Sequence, residues 1–438
     1  MVPALLLAIS TLTAAQVSPL TGTFNIITFN VAGLPDVLND NNSGDKVANT
    51  ARIGQLLTQY NISLIHVQED FNYHATLYEN DDHPYRTATS GGVPFGSGLN
   101  SLSNFNWSDF ERVKWDKCST FDSADCLTPK GFTFMRVKFD EGVWIDAYNL
   151  HADAGTTTAD LEARASNLRQ VSSHITTYSA GNPVIVFGDS NTRYTRTGDI
   201  PGVFGTTNSM TDAWVELAKS GVAPTSGTEA LLCDNPSPNT TCEIVDKVWY
   251  RGSPAVDLRA TKFDYAGEKF LLDNGDTLSD HDPVLVDFTW TKSGSWRIGD
   301  AFGGEFGAWF NDMSTLSQLR GPTVSSITLR GNERLDAVEL KFASGQTLSH
   351  GGSGGTAQIL TLDAGEKLTD ATLCRGEKDG QARIFYAQLR TSKSRSISAG
   401  TKTGDCVERT AVEGRGIVGF LGRAGNEIDK IGFIYGNI

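Results

Sequence analysis

At 438 residues the chain is too long for one ordinary hydrophobic core, so two domains are the first expectation. An apolar content of 39% with 45 glycines suits a globular, turn-rich protein with much β-structure. A net charge of −14 argues against a broad basic surface for non-specific nucleic-acid binding, while leaving room for a small phosphate site.

Residues 2–15 (VPALLLAISTLTAA) are apolar and closed by small residues, with Thr13 and Ala15 where a signal peptidase reads. The stretch lacks a basic start and is too short to cross a bilayer, so residues 1–15 read as a signal peptide. Residues 24–31 (FNIITFNV) alternate and then run apolar, a strand that ends in Asn30. An amide there is either a turn former or a ligand pointing into a cleft. Residues 48–60 carry Ile53, Leu56, Leu57 and Tyr60 at helical spacing, and the strand at 63–68 then terminates in Glu69 and Asp70. Residues 96–105 and 131–139 read as further strands with a cysteine-bearing loop between them.

The strand at 143–150 (VWIDAYNL) delivers His151. Residues 160–179 read as a helix with Leu161, Ala165, Leu168, Val171 and Ile175 on one face, and Arg164, Arg169 and Gln170 on a solvated one. In residues 183–193 (PVIVFGDSNTR) a strand buried on both faces breaks at Gly188 and presents Asp189 and Asn191. Residues 243–250 put Asp246 inside an apolar strand, and residues 278–288 set Asp280 and His281 just before another. A carboxylate at such a point is costly unless it is paired, bound to a metal or used in chemistry. Strand after strand repeats the design. Two of the seven histidines and no cysteine belong to the set, so hard oxygen donors point to magnesium or manganese rather than zinc.

In this order the motifs resemble the endonuclease/exonuclease/phosphatase superfamily, the DNase I-like hydrolases. The matching residues are FNV with Asn30, QE with Glu69, NLH with His151, GDSN with Asp189 and Asn191, DKV with Asp246, and SDHDPV with Asp280 and His281. The resemblance implies an α/β four-layer sandwich over residues 22–290, with the site at one end of two packed sheets. It also implies roles. Glu69, helped by Asn30 and Asp280, holds Mg²⁺ (or Mn²⁺), and Asp189 orients and deprotonates the attacking water. Asn191 hydrogen-bonds a phosphate oxygen, Asp246 fixes a cationic His281, and His151 stabilises the phosphate or protonates the leaving oxygen. The implied substrate is a phosphate ester: a phospholipid, an inositol phosphate or a nucleic acid. Arg193 extends GDSNTR toward the GDxNxR run of inositol-polyphosphate 5-phosphatases, whose second motif is absent ahead of Asp246. The spacing of His151, Asp189 and residues 280–281 also resembles secreted sphingomyelinases, although no exposed aromatic hairpin for membrane entry is evident.

Residues 291–295 (TKSGS) read as a linker, and residues 296–438 change texture to short glycine-punctuated strands, as at 324–330, 337–342, 384–389 and 431–435. FGGEFGAWFND (302–312), HGGSGGT (350–356) and GRAGNEIDKIGFIY (422–435) resemble jacalin-type lectins. That resemblance implies an all-β domain, a β-prism of three four-stranded units. It also implies a glycan site at the closing GxxxD, Gly425 to Asp429, with Glu427 placed to alter specificity. Six cysteines fall into the close pairs Cys118/Cys126, Cys233/Cys242 and Cys374/Cys406, with connectivity among the first four open. They suit disulfides in an oxidising compartment, and sequons at Asn41, Asn61, Asn106 and Asn239 fit a secreted, extracellular glycoprotein. Two classes of function follow: a secreted metal-dependent phosphoric ester hydrolase targeted by a lectin domain, or a lectin or toxin-like protein on an inactive hydrolase fold. The completeness of the donor set favours the first.

Overall fold

The computed structural model describes residues 20–35, 44–120, 125–412 and 414–437. The expected signal peptide and the Asn41 sequon lie outside these residues, whereas Asn61, Asn106 and Asn239 are exposed. The first part is two packed six-stranded sheets with helices outside, the four layers expected. In one sheet Thr21–Asn30 lies between Val284–Lys292 and Leu64–Gln68. In the other, Val143–Leu150 and Val184–Asp189 are central, flanked by Gly131–Asp140 and Asp246–Arg251. Each sheet holds one parallel pair, Thr21–Asn30 with Leu64–Gln68 and Val143–Leu150 with Val184–Asp189, and the remaining pairings are antiparallel. Parallel neighbours end at the same rim, so their last residues present side chains together.

The sheets meet through a buried interior in which His66 stacks on Phe187 at 3.6 Å and Phe24 packs tilted against Phe139 at 4.0 Å. Burial drives the His66 ring down to about 3, so it is a neutral core group. Helix Lys46–Gln59 is capped by the Asp45 carboxylate and buries Ile53, Leu56 and Leu57 over the first sheet. Helix Thr158–Tyr178 begins at a reciprocal Thr157/Asp160 capping box and lays Leu168, Val171 and Ile175 on the second.

Two local expectations change. The strand expected at 96–105 shortens to Asn100–Ser103, because Gly98 turns the chain at φ +70° and its carbonyl accepts from Asp70 N. Arg164 is not on a solvated face: it is 1% exposed, donates to Asp199 Oδ1 at 2.8 Å and holds the carbonyl of Asp153 at 2.9 Å. A lone arginine beside an apolar stripe gives no sign of its partner, which lies 35 residues on.

Strand Val284–Lys292 runs into the stretch read as a linker, and Trp296–Ile298 already pairs with the last strand, Ile428–Asn437. The second part is three antiparallel sheets, a prism. One sheet has five strands rather than four, since Phe302–Gly303 pairs with Ile428–Asn437 beyond Trp296–Ile298. The other two have four each. Three disulfides join Cys118 to Cys126, Cys233 to Cys242 and Cys374 to Cys406, and the last links residues directly opposite on neighbouring strands.

Candidate active site

The rim where both parallel pairs end collects the sequence-derived residues. Asn30 and Gln68 are paired in register, so Asn30 and Glu69 leave the first sheet side by side. Glu69 adopts a left-handed φ of +56°, and Gly33 lies so close that a Cβ there would sit 2.3 Å from the Glu69 carbonyl oxygen. In the second sheet His151 bridges to Asp189, and Asp246 is the antiparallel partner of Asp189.

Asp189 is the centre. Its Oδ2 accepts from Asn30 Nδ2 at 3.2 Å and lies 3.3 Å from His151 Nε2 and 3.9 Å from His281 Nε2, while Oδ1 accepts from Asn191 N at 3.0 Å. Asn30 Nδ2 also reaches Glu69 Oε1 at 3.3 Å. His281 Nδ1 sits 2.8 Å from Asp246 Oδ2, and Asn191 Nδ2 donates to Ala152 O at 3.1 Å. Asp280 stands apart. It is exposed, its neighbour Ser279 Oγ contacts it at 3.4 Å, and no described contact joins it to Glu69.

The electrostatics divide the two histidines. Burial works against a cation at His281, yet the Asp246 and Asp189 carboxylates outweigh it and hold the ring well above the usual histidine range. At His151 burial, reinforced by Lys130 and His281, pushes the ring well below that range, so it is neutral. Burial and the Asp246 charge raise Asp189 to about 6 against His281 and Lys130. A base in that range can take a proton near neutral pH.

Lys130 is a member that strand-end reasoning missed. Its Nζ is 3.1 Å from His151 Nε2 and also contacts the buried Asp125, just inside the Cys118–Cys126 loop. Thr28, Gln68 and Asn149 were missed as well. They form a buried polar chain under the rim, with Gln68 Nε2 donating to Asn149 Oδ1 at 2.7 Å. Polar residues inside apolar strands carry the only sequence signal for that chain.

The site fits a hard divalent cation. Glu69 Oε2 is buried without a hydrogen-bond partner at the edge of an oxygen-rich cluster, so its free lone pairs suit a hard cation. Ligand atoms of Asp189, Asp246 and His281 also lie within 4.8 Å of one another. There the His281–Asp246 contact occupies the ring nitrogen, so a dyad describes that trio better than a metal cage.

A match to the Endonuclease/Exonuclease/phosphatase family 2 covers residues 16–243. The chain belongs to that family. The match stops short of Asp246 and His281, which geometry joins to the site. A jacalin-like lectin domain follows over residues 299–434. A Mycobacterium tuberculosis protein named sphingomyelinase is 35% identical over 279 residues, 61% of this chain and 53% of that protein. The chain therefore spans about half the length of that relative. Horcolin of Hordeum vulgare is 29% identical over 114 residues, 25% of this chain and 78% of horcolin. D. rerio TDP2, solved with a single-strand DNA product, is 17% identical with a TM-score of 0.43, covering 61% of this chain and 98% of that one.

In the lectin-like domain, Gly425 is exposed at the tip of its loop, while Asp429 is 1% exposed and its carboxylate contacts the Arg383 guanidinium. Glu427 is held by Arg334 at 2.8 and 2.9 Å and by Lys378 at 2.7 Å. Neither carboxylate of the expected sugar motif is free.

Proposed function

We propose that the chain is a secreted, divalent-metal-dependent phosphodiesterase whose second domain directs it to glycans. The observation that carries the reading is the convergence on Asp189 Oδ2 of Asn30, a neutral His151 and a carboxylate-backed His281. Glu69, with Asn30 beside it, would hold Mg²⁺ or Mn²⁺, which when bound neutralises phosphate charge. Asp189 accepts the proton of the attacking water, which Asn30 and Asn191 help it to orient. The His281 cation, fixed by Asp246, stabilises charge growing on the phosphoryl oxygens. His151, neutral and backed by Lys130, hydrogen-bonds the phosphate on the opposite side. Asn191 anchors the loop after Asp189 through Ala152 O and offers its side chain to a phosphate oxygen. Asp280, exposed one residue before His281, would be a further oxygen donor to the metal.

The substrate we propose is a sphingomyelin-like phosphodiester, supported by the 35% identity over 279 residues to a protein named sphingomyelinase. Three disulfides support an extracellular setting. Among the described residues no helix is long and apolar enough to cross a membrane. The test is a Mg²⁺-dependent panel of sphingomyelin, lysophospholipids, inositol phosphates, plasmid DNA, RNA and bis-p-nitrophenyl phosphate. Sphingomyelin should turn over fastest, and cleavage of DNA with no action on phospholipid would reject the substrate reading.

EDTA should abolish hydrolysis and Mg²⁺ or Mn²⁺ should restore it. Glu69→Gln keeps the size of the side chain and removes its charge. It should raise the Mg²⁺ needed for half-activity by about tenfold or more, the scale on which weakened metal shells show. Full activity in EDTA would sink the metal assignment.

A further inference from the structure

The lectin-like site has a feature that its motif does not announce. Asp429 is the charged member of the sugar motif, and Arg383, from strand Gln381–Thr391 of a different sheet, reaches across to its Oδ1. The other oxygen, Oδ2, lies against Gly307, where a Cβ would come within 2.5 Å. Gly307 also takes a φ of +73°, so the close approach and the backbone both call for glycine. Arg383 is 19% exposed; its Nη2 donates to Gln381 Oε1 at 2.8 Å, and its Nε has no hydrogen-bond partner. The nearest second carboxylate, Glu427 at 3.7 Å, is already taken by Arg334 and Lys378.

A neutral sugar that donates its hydroxyls to the buried Asp429 carboxylate competes with Arg383 for it. The guanidinium then keeps only Glu427, 3.7 Å away and already shared with Arg334 and Lys378, a weak pairing for a partly buried cation. A saccharide carrying its own carboxylate or sulfate avoids this. Its anion takes the guanidinium fork, whose planar geometry suits both groups, while adjacent hydroxyls donate to Asp429. The ion pair is exchanged rather than broken.

We propose that Arg383 makes this site select anionic saccharides, uronic acids or sulfated sugars, over their neutral counterparts. The proposal rests on the reading of residues 425–429 as a glycan site. Arg383 is the residue that sets the specificity, and Asp429 supplies the hydroxyl acceptor common to both ligand classes.

The test titrates the full chain with galactose, galacturonic acid, glucose, glucuronic acid and galactose 6-sulfate, with thermal unfolding recorded for every variant. Wild type should bind each acidic sugar about tenfold or more tightly than its neutral parent, the effect of one charge-assisted contact. The uronate and sulfate arms show which anion fits better. R383Q should lose the preference, and D429N should weaken acidic and neutral sugars alike. R383K keeps the charge without the fork and should retain part of the preference, which decides the matter if R383Q unfolds early. Equal binding of acidic and neutral sugars by wild type, or an unchanged preference in R383Q, would overturn the proposal and leave the glycan reading standing. No binding of any sugar by wild type or variants would remove both.

Discussion

Asp189→Asn should slow hydrolysis by about 10²- to 10⁴-fold, the range for loss of a positioned general base. The amide has nearly the carboxylate's shape and can still meet His151 and Asn191, but it cannot accept the water's proton. His281→Ala should cost about 10²-fold or more, because it removes the cation that faces developing phosphoryl charge. The two losses should not add, since both groups act on one transition state and stand 3.9 Å apart. Asp246→Asn separates charge from placement. Asp246 is the larger of the carboxylate influences raising His281, so its loss should bring that ring down toward neutrality. A group that must be protonated then fails earlier as pH rises, and the alkaline limb of kcat/KM should move to lower pH. Wild-type activity in Asp189→Asn would reject the base. An unmoved alkaline limb in Asp246→Asn would reject the dyad.

The rim was legible because parallel strands end together. An oxygen or imidazole group after each apolar run is a pattern that sequence carries, and Asn30, Glu69, His151, Asp189, Asp246 and His281 meet as that pattern implies. What escaped reading was set by chain far away. Lys130 belongs to no strand end; it reaches His151 because the turn before Gly131–Asp140 folds over the rim, where Asp125 meets it. The extra strand of the prism, Phe302–Gly303, is two residues long, below what alternation can register. Arg383 reads as one more charge on an exposed strand until the fold brings it to Asp429, 46 residues on. In both parts the sequence motifs place the acids, and tertiary structure decides which cations answer them.

The same holds where the two parts meet. Residues 291–295 read as a linker, and the structure buries a charge cluster across the boundary between the two parts. Asp109, 3% exposed on Trp107–Lys114, accepts from Arg423 Nε at 2.9 Å and Lys430 Nζ at 3.0 Å, both from the prism. Arg136 of the catalytic part lies 3.4 Å from its other oxygen and 3.5 Å over the Trp309 ring. Asp109 N in turn donates to Glu305 Oε1 at 2.9 Å. One carboxylate thus serves three cations from both domains.

Asp109→Ala should therefore destabilise the intact chain by about 3–5 kcal/mol at pH 7, the cost of leaving buried charges without their partner. Arg136 keeps Asp146, with contacts of 2.7 and 3.2 Å, so the loss falls mainly on Arg423 and Lys430. The pH dependence gives the mechanism a second check. Burial pushes the Asp109 carboxyl up, but Arg136, Lys430 and Arg423 together bring it down to about 2. A carboxylate lowered by folding stabilises the native state above its ordinary pKa of 3.8, and loses that contribution as pH falls toward 2. The difference between wild type and Asp109→Ala, followed by urea unfolding, should be full at pH 7 and shrink as acid approaches that window. Limited proteolysis at residues 293–295 should speed up in parallel, because the buried charge cluster is lost and the prism keeps only such polar ties as Asp300 to Lys138 and Trp144 and Asn311 to Asn182. A penalty under about 1 kcal/mol at pH 7, within the range of an exposed ion pair, would mean that the cluster does not hold the domains together. The catalytic part could then be expected to fold and work when expressed without the prism.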